Sequence, residues 1–191
     1  MEFEGISINE SVLLSYSKEL DKELIHAEKS IYEIACINFN IASPKQLGEV
    51  LFTKLEIPYK GSKTKTGQFS TNEETLKKLK KEHKIIDHIL TFRQLQKLKS
   101  TYVDALPKLV NQKTNRIHSS FNQTVTATGR LSSTNPNLQN IPIRTELGRE
   151  IRKSFIAEKR NMLLSADYSQ VELRILAHLS EDESLIDSFL K

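Results

Sequence analysis

An aspartate that follows an apolar run is the clearest candidate for chemistry in the sequence. The segment LLSADYSQVELR, residues 163 to 174, predicts a strand that ends at Asp167 and a helix that begins within three residues. A carboxylate held on two rigid elements, at the carboxyl edge of a sheet, is well placed to bind a metal ion. With a partner carboxylate and substrate phosphates, such a group can hold two magnesium ions about 4 Å apart. One ion then activates a hydroxyl and the other supports the leaving group.

Alternatives stay open for the acidic residues of this segment. Asp167 could instead be the N-cap of the helix, which is a common role for an aspartate in that place. Glu172 lies five residues later and could point toward the same cavity as Asp167. The carboxylates of Glu181, Asp182 and Glu183 follow the predicted helix and are typical of solvated charge.

The stretch TATGRLSSTNPNLQNIP, residues 126 to 142, is rich in hydrogen-bond donors. Ten of its seventeen side chains can donate and none is a carboxylate, while Gly129 and two prolines exclude an ordinary amphipathic helix. Such a surface fits the DNA minor groove, which presents acceptors in similar places for every base pair. The alternative, which composition leaves open, is that these side chains cap turns and bond their own backbone. Candidates for base acceptors are Arg130, Asn137, Gln139 and Asn140, and candidates for phosphates or sugars are Ser132, Ser133 and Thr134.

Charge is distributed unevenly along the chain. When Lys and Arg are counted as positive and Asp and Glu as negative, the net charge is −5 over residues 1–59, +5 over 60–81, +8 over 82–160 and −4 over 161–191. A basic middle region between acidic ends suits the binding of a polyanion across the middle of the chain. It also suits the binding of a cation, such as a metal ion, near the acidic C-terminal end. Solvated lysines are the alternative explanation.

The composition excludes several classes of protein. A chain of 191 residues with 38% hydrophobic and 27% charged residues is too apolar to be disordered. It has no apolar run of membrane-spanning length and no charged-then-apolar leader, so we expect a soluble chain that is not exported. The lone Cys36 excludes an internal disulfide and a cysteine-rich zinc site, and we expect it to be buried as a small hydrophobe.

Two long helices are predicted before the donor-rich stretch. Apolar side chains recur every three or four residues over 7–36 and 84–106, in stripes narrow enough for an antiparallel helix pair. Ser7 and Glu10 form a capping box at the start of the first helix, and Pro107 ends the second. The predicted inward residues are Leu13, Tyr16, Leu20, Leu24, Ala27, Ile31 and Ile34, then Ile85, Ile89, Phe92, Leu95, Leu98, Tyr102 and Leu106.

Shorter helices and a basic loop are predicted between the two long helices. The loop PYKGSKTKTGQF, residues 58 to 69, carries Lys63 and Lys65 at a tip that we expect to be mobile. Lysines and hydroxyls there suit phosphate contacts, and a plain solvated loop is the alternative. Capping patterns begin the shorter helices at Ser43 with Pro44 and Gln46, then at Ser70 with Glu73 and Thr71 with Glu74.

The periodicity changes in the last part of the chain. We therefore predict an α+β fold, predominantly α, with a helical first region and a few antiparallel strands in the second. The boundaries are 1–111 for the helical region, with its basic tip at 58–69, and 112–191 for the second region. Strands are predicted in RIHSSFNQT (116–124), SFIAEKR (154–160) and NMLLSADYS (161–169), and a helix in QVELRILAHLS (170–180).

Long strings of the sequence resemble one enzyme family. TATGRLSSTNPNLQNIPIR, followed about two dozen residues later by DYSQVELRILAHLS, resembles the palm of family A DNA polymerases. Upstream, YEIACINFNIASPKQLGEVLF and QLQKLKSTYVDALPKLVNQKTNRIHSSFNQT resemble the thumb and its connection to the palm. The resemblance implies a thumb over 1–111 and the N-terminal part of a palm over 112–191. It also implies primer–template DNA and deoxynucleoside triphosphates as partners, and two Mg²⁺ ions as cofactors of the complete enzyme.

The same resemblance implies roles for individual residues. Asp167 is expected to be one of two metal-binding catalytic aspartates, with the Tyr168 carbonyl as a further ligand. Glu172 is expected to be the steric gate against a ribose 2′-hydroxyl, and Gln170 and Arg144 are expected near the incoming nucleotide. Arg130 is expected to bond the primer-terminal base pair. DNA contacts are expected for Ser132, Ser133, Asn137, Gln139, Asn140, Lys63 and Lys65.

Parts of the family pattern are missing from the sequence. After Lys191 the pattern continues with a fingers helix and a His-Asp-Glu turn that bears the second catalytic aspartate, and before Met1 it has an exonuclease domain. The resemblance therefore predicts a fragment with no polymerase activity of its own. It also predicts a location in the bacterial cytoplasm, associated with the nucleoid. An incomplete sheet exposes an edge and an apolar face, so we expect that the partial palm can dimerise.

Overall fold

The chain divides into two compact units, Met1–Ile156 and Ala157–Lys191. Helices dominate the first unit and short antiparallel strand pairs lie between them, which confirms the predicted α+β fold with predominant helix. No helix in the described part of the chain combines the length and the apolar character needed to cross a bilayer. The computed structural model describes residues 1–59, 61, 63, 67–143 and 145–190.

The helices of the first unit are α1 (Glu10–Ala35), α2 (Pro44–Glu49), α3 (Glu73–Lys78), α4 (Ile85–Leu98) and α5 (Glu146–Lys153). π-helical turns follow α2 and α4 at Val50–Lys54 and Lys99–Val103, and 3₁₀ turns lie at Leu106–Leu109 and Leu138–Asn140. The strands are β1 (Ser7–Ile8), β2 (Val110–Asn111), β3 (Arg116–Ile117), β4 (Ser120–Asn122), β5 (Ser132–Thr134) and β6 (Phe155–Ile156). The second unit contains α6 (Val171–Ser180) and α7 (Glu183–Leu190).

Helices α1 and α4 pack antiparallel, as predicted. One core cluster joins the C-terminal half of α1, including Ile31, to the first turns of α4, including Ile85 and Ile89. A second cluster joins the N-terminal half of α1, including Leu13, to the last turn of α4, including Leu98. The predicted inward residues of both helices are buried, except Leu24 and Ile34, which are partly buried and pack against these clusters.

The start of α1 differs from the predicted capping box. Ser7 belongs to β1, which pairs antiparallel with β6, so it is not available as a cap. Asn9 is the N-cap instead, and its Oδ1 accepts hydrogen bonds from the backbone N–H groups of Ser11 at 3.1 Å and Val12 at 3.4 Å. A pairing distant in sequence therefore decides where the helix begins.

The second long helix is regular over a shorter range than predicted. The α-helical part ends at Leu98, and the chain then continues as the π turn Lys99–Val103. Pro107 lies in the first turn of the following 3₁₀ helix and not directly after an α-helix. The inward stripe nevertheless continues, because Tyr102 and Leu106 are both buried.

The caps of the shorter helices are partly as predicted. Ser43 caps α2 and Pro44 follows it, but the Gln46 side chain accepts a hydrogen bond from the Asn40 backbone N–H and not from that of Ser43. Asn72 caps α3 through the Thr75 N–H, so the capping boxes predicted for this helix are wrong. The glutamates of those boxes, Glu73 and Glu74, instead form ion pairs with Lys77 and Lys78.

The strands are shorter than predicted and pair in twos. The strand predicted over 116–124 is split into β3, which pairs with β2, and β4, which pairs with β5. The strand predicted over 154–160 is confirmed only as β6. The strand predicted over 161–169 is wrong, because residues 161–168 have no regular structure and lack a hydrogen-bonded strand partner within the described residues. The helix predicted after it is confirmed as α6.

Cys36 is exposed, so the expectation that it is a buried hydrophobe is wrong. It is the C-cap of α1 and has a left-handed backbone conformation, with φ of 54°. A residue in that position turns the chain away from the helix, which carries its side chain away from the packed stripe.

Candidate nucleic-acid interface

A groove of about 980 Å³ lies within the first unit, between α3 and α4 on one side and the segment 136–145 on the other. We name the first side the basic wall, which consists of Lys77, Lys80, Arg93 and Lys97. We name the second side the amide wall, which consists of Pro136, Asn137, Asn140, Pro142 and Thr145.

Cations outnumber carboxylates among the described residues that line this groove. Lys77 Nζ lies 2.6 Å from Glu73 Oε1, and Lys80 Nζ lies 3.0 Å from Asp87 Oδ1. The hydrogen bond from Lys77 lowers the pKa of Glu73, and the charge of Lys97 contributes in the same direction. The basic wall has four cations against these two carboxylates, so the groove attracts a polyanion.

Arg93, one of the residues of the basic wall, is anchored by Thr71. Its guanidinium donates to the Thr71 carbonyl, and its Nη2 lies 3.3 Å from Thr71 Oγ1. Burial lowers the pKa of Arg93, but a guanidinium stays protonated in proteins. Lys97 follows one turn later on the same face of α4. The site predicted from the sequence did not include Arg93 or Lys97. Their spacing of four on one predicted helix nevertheless indicates that they share a face of that helix.

Ser133 organises the turn from which the amide wall begins. It is 1% exposed, and its hydroxyl accepts hydrogen bonds from the N–H groups of Leu138 at 3.1 Å and Gln139 at 3.3 Å. The same hydroxyl donates to Asn137 Oδ1 at 3.1 Å. In this conformation the Ser133 side chain serves its own turn, which is the alternative that the composition left open.

Asn137 and Asn140 are exposed and line the groove. Asn137 Oδ1 is used within the turn, since it also accepts from the Gln139 N–H at 3.1 Å, so the amide NH₂ is the group that Asn137 can offer to a partner. Gln139 is exposed as well, but its Nε2 donates to the Leu131 carbonyl at 3.0 Å. The two asparagines therefore carry the donor character of this wall.

Two contacts hold the amide wall against the helices. The Tyr102 hydroxyl donates a hydrogen bond of 2.6 Å to the Asn140 carbonyl, and burial raises the pKa of Tyr102, so the phenol keeps its proton. Gly148 in α5 packs directly on the backbone of Pro142, where a Cβ atom would collide with the proline carbonyl. The central part of the wall, from Asn140 to Pro142, is thus held by contacts to its backbone.

Ser132 is the first residue of β5 and Arg130 lies two residues before it, and both are outside the described lining of the groove. Arg130 is exposed, and its carbonyl accepts a hydrogen bond of 2.5 Å from the Thr126 hydroxyl. Ser132 is half-buried. Of the predicted duplex contacts in the donor-rich stretch, the structure brings Asn137 and Asn140 into the groove.

The predicted contacts of the basic loop and the nucleotide site are only partly described. Lys63 is exposed, with its Nζ 5.0 Å from the centroid of the Phe69 ring. Lys65 and Arg144 lie outside the described residues. The structure therefore adds geometry for Lys63 alone among these three.

In the second unit, Asp167 is exposed within the irregular segment 161–168. Helix α6 begins at Val171, and the N-cap position is held by Gln170, whose side chain makes no capping hydrogen bond. Asp167 therefore neither ends a strand nor caps the helix, so both placements considered from the sequence are wrong. A strand needs a paired neighbour, and the apolar side chains of 162–164 are exposed.

The residues around Asp167 offer oxygen donors but do not assemble a complete metal site. Within the described ranges, no three His, Cys, Asp or Glu side chains come together as a metal-binding group. Mg²⁺ in proteins usually keeps several water ligands and is bound by one or two carboxylates together with substrate phosphates. The exposed Asp167 carboxylate and the Tyr168 carbonyl fit part of such a coordination shell. Glu172 lies in the first turn of α6, and Arg174 Nε donates to the Ser169 carbonyl at 3.1 Å.

Known proteins match this sequence over nearly the whole chain. The model of DNA polymerase family A matches residues 10–191. DNA polymerase I of Synechocystis sp. is 56% identical over 190 residues, and that of Geobacillus stearothermophilus is 52% identical over 190 residues, each over 99% of this chain. A solved structure of the POL domain of Pol1 from M. smegmatis, in complex with DNA primer-template and dNTP, is 45% identical with a TM-score of 0.82 and covers 97% of this chain.

The matched part is a small share of each relative. The chain spans 19% of the Synechocystis protein, 22% of the Geobacillus protein and 32% of the M. smegmatis chain. The family match nevertheless covers nearly every residue of the chain, including the donor-rich stretch and Asp167. The chain belongs to DNA polymerase family A.

Proposed function

We propose that this chain forms part of the duplex-binding surface of a template-directed DNA polymerase and supplies one of its metal-binding aspartates. The observation that carries the proposal is the groove, which is lined by four cationic residues and by two exposed asparagines. Family membership and relatives named DNA polymerase I support the same conclusion. In these terms 1–111 is the thumb and 112–191 is the first part of the palm.

The groove suits a DNA duplex of any sequence. Lysine and arginine side chains on the basic wall can neutralise phosphates, which provides affinity without information about base sequence. Amide donors on the other wall, from Asn137 and Asn140, match the purine N3 and pyrimidine O2 acceptors of the minor groove. Arg130 would contact the primer-terminal base pair, with Ser132 and Gln139 near the duplex and Lys63 and Lys65 on phosphates.

The proposed reaction is attack of a primer 3′-hydroxyl on the α-phosphorus of a deoxynucleoside triphosphate, with release of pyrophosphate. Mg²⁺, when bound, would supply charge neutralisation at the reacting phosphate. The Asp167 carboxylate and the Tyr168 carbonyl would hold it through their oxygens. Glu172 would exclude a ribose 2′-hydroxyl from the nucleotide site, and Gln170 and Arg144 would bind near the triphosphate. The bacterial relatives and a DNA substrate favour the cytoplasm and the nucleoid as its location.

These 191 residues alone are expected to bind duplex without extending it. Phosphoryl transfer depends on positioning and on charge neutralisation at the transferring group. Within the described residues, Asp167 is not part of any group of three or more His, Cys, Asp or Glu side chains that could hold a metal ion. Incorporation of a labelled nucleotide by the purified chain would contradict this part of the proposal.

Fluorescence anisotropy with a labelled primer–template tests the binding function. We expect Kd to rise steeply with salt concentration, because counterions are released from the phosphates. We also expect Kd to be nearly the same for duplexes of unrelated sequence. Absence of binding at low salt, or a strong preference for one sequence, would contradict the assignment of the groove to a duplex.

A further inference from the structure

Tyr102 connects the two sides of the groove. It lies in the π turn after α4 and is 8% exposed, with its ring in the same core cluster as Leu98. Its hydroxyl donates a hydrogen bond of 2.6 Å to the carbonyl of Asn140, which lies 38 positions later in the chain. The bond therefore joins the π turn that continues α4, the helix of Arg93 and Lys97, to the middle of the amide wall.

The position of the accepting carbonyl gives this bond its effect. Asn140 is the last residue of the 3₁₀ turn Leu138–Asn140, whose first N–H groups are held by Ser133. The next residue, Ile141, is buried in the core cluster that contains Tyr102. One end of the turn is thus held by Ser133 and the other by the phenol, with the Asn140 side chain exposed between them.

We propose that Tyr102 is a positioning residue, which sets the Asn140 amide at the height in the groove where it meets a base-pair acceptor. The proposal rests on the duplex-binding function argued above. A donor that is already ordered loses less conformational entropy when it binds, so a fixed Asn140 contributes more to affinity than a mobile one. Burial raises the pKa of the Tyr102 phenol, which favours the protonated form that donates this bond.

Tyr102→Phe removes the hydroxyl and keeps the packed ring. The chain offers a matched control in Tyr16, a similarly buried tyrosine whose hydroxyl donates at 3.1 Å to the Leu147 carbonyl in α5. We expect amide hydrogen exchange across 138–141 to become about fivefold faster in Tyr102→Phe and to stay unchanged in Tyr16→Phe. For a primer–template duplex, Kd should rise about fivefold in Tyr102→Phe and less than twofold in Tyr16→Phe.

A double-mutant cycle separates positioning from general loss of structure. In the Asn140→Ala background, Tyr102→Phe should no longer change Kd, because the amide that it positions is absent. Unchanged exchange across 138–141, or an equal loss of affinity in both backgrounds, would overturn the proposal. If the wild-type chain does not bind duplex, the proposed function is contradicted instead. The comparison of hydrogen exchange between Tyr102→Phe and wild type then still decides whether Tyr102 positions Asn140.

Discussion

Lys99 Nζ lies 2.8 Å from Asp104 Oδ2 and 2.6 Å from Ser17 Oγ, so one ammonium group joins the π turn after α4 to the N-terminal half of α1. Asp21 Oδ2 on α1 lies 3.4 Å from the same nitrogen. Ser17 also donates to Asp104 Oδ1 at 2.7 Å, which closes the set of hydrogen bonds. This polar group links α1 to the end of α4, the helix that carries Arg93 and Lys97.

Replacement of Lys99 by Met should lower the free energy of unfolding by about 1–3 kcal/mol, because Ser17 and Asp104 then lose a charged donor in a partly buried place. Lys29→Met is the control, since the pair of Lys29 with Glu33, at 3.9 Å, is exposed. Chemical denaturation of the three proteins measures the difference. Equal stability of Lys99→Met and wild type would contradict the role of this polar group.

The stabilisation by Lys99 should depend on pH at both extremes. The hydrogen bond with Asp104 raises the pKa of Lys99, so its contribution is full below the ordinary lysine pKa of about 10.4 and is lost as pH rises through the raised value. Burial opposes ionisation of Asp104, but bonds from Lys99 and Ser17 outweigh it and lower its pKa. The contribution of Asp104 is therefore full above about pH 3.9 and is lost as pH falls through the lowered value. Denaturation of wild type and Lys99→Met across pH should show a constant difference between these limits and a smaller one outside them.

Lys97→Ala should weaken duplex binding and reduce its dependence on salt. One fewer phosphate contact lowers the slope of log Kd against log salt by about one. Lys29→Ala removes the same charge from a residue outside the described lining of the groove and should leave the slope unchanged. If both substitutions change the slope equally, binding follows net charge and the groove is not the site.

Ser133→Ala should destabilise the chain even though it removes only one oxygen atom. The N–H groups of Leu138 and Gln139 would lose their acceptor in a buried place, which costs about 1–3 kcal/mol. Ser132→Ala, at the neighbouring half-buried position, should change stability by less than about 0.5 kcal/mol. Thermal unfolding of both variants makes the comparison, and similar melting temperatures would argue against the internal role of Ser133.

The helix pair could be predicted from the sequence because its signal is local. Apolar residues at intervals of three and four identify the buried stripes of α1 and α4, and the structure buries nearly all of them. The caps depended on partners elsewhere in the chain. Ser7 has the right residue type for a cap, but its pairing with Ile156 makes it part of a strand, and this pairing is separated by most of the chain.

The candidate site was only half visible in the sequence. The donor-rich stretch identified Asn137 and Asn140, because amide and hydroxyl side chains without carboxylates are unusual together. The basic wall was missed, since lysines on helices are typical of solvated surface and only the fold brings Lys77 and Lys97 to one groove. The apolar run before Asp167 looked like a strand, but strand structure requires a neighbour that a local pattern cannot specify.

Self-association through α6 is predicted from its exposed apolar side chains. Leu173, Leu176 and Leu179 are exposed and recur at intervals of three on the helix. Light scattering should give a mass above that of one chain at high concentration. Leu176→Glu should return the protein to a monomer, whereas His178→Glu, which places a carboxylate on the opposite side of α6, should not. A monomer at all concentrations would contradict the prediction.

The most direct test of the role of Asp167 is nucleotide incorporation by a chimera in which this sequence replaces the matching segment of the Geobacillus polymerase. We expect template-dependent incorporation by the chimera. We expect a loss of at least about a hundredfold for Asp167→Ala with duplex Kd nearly unchanged, and nearly full activity for Glu181→Ala beyond α6. An Asp167→Ala chimera that incorporates nucleotide within tenfold of the parent would contradict the proposed metal-binding role of Asp167.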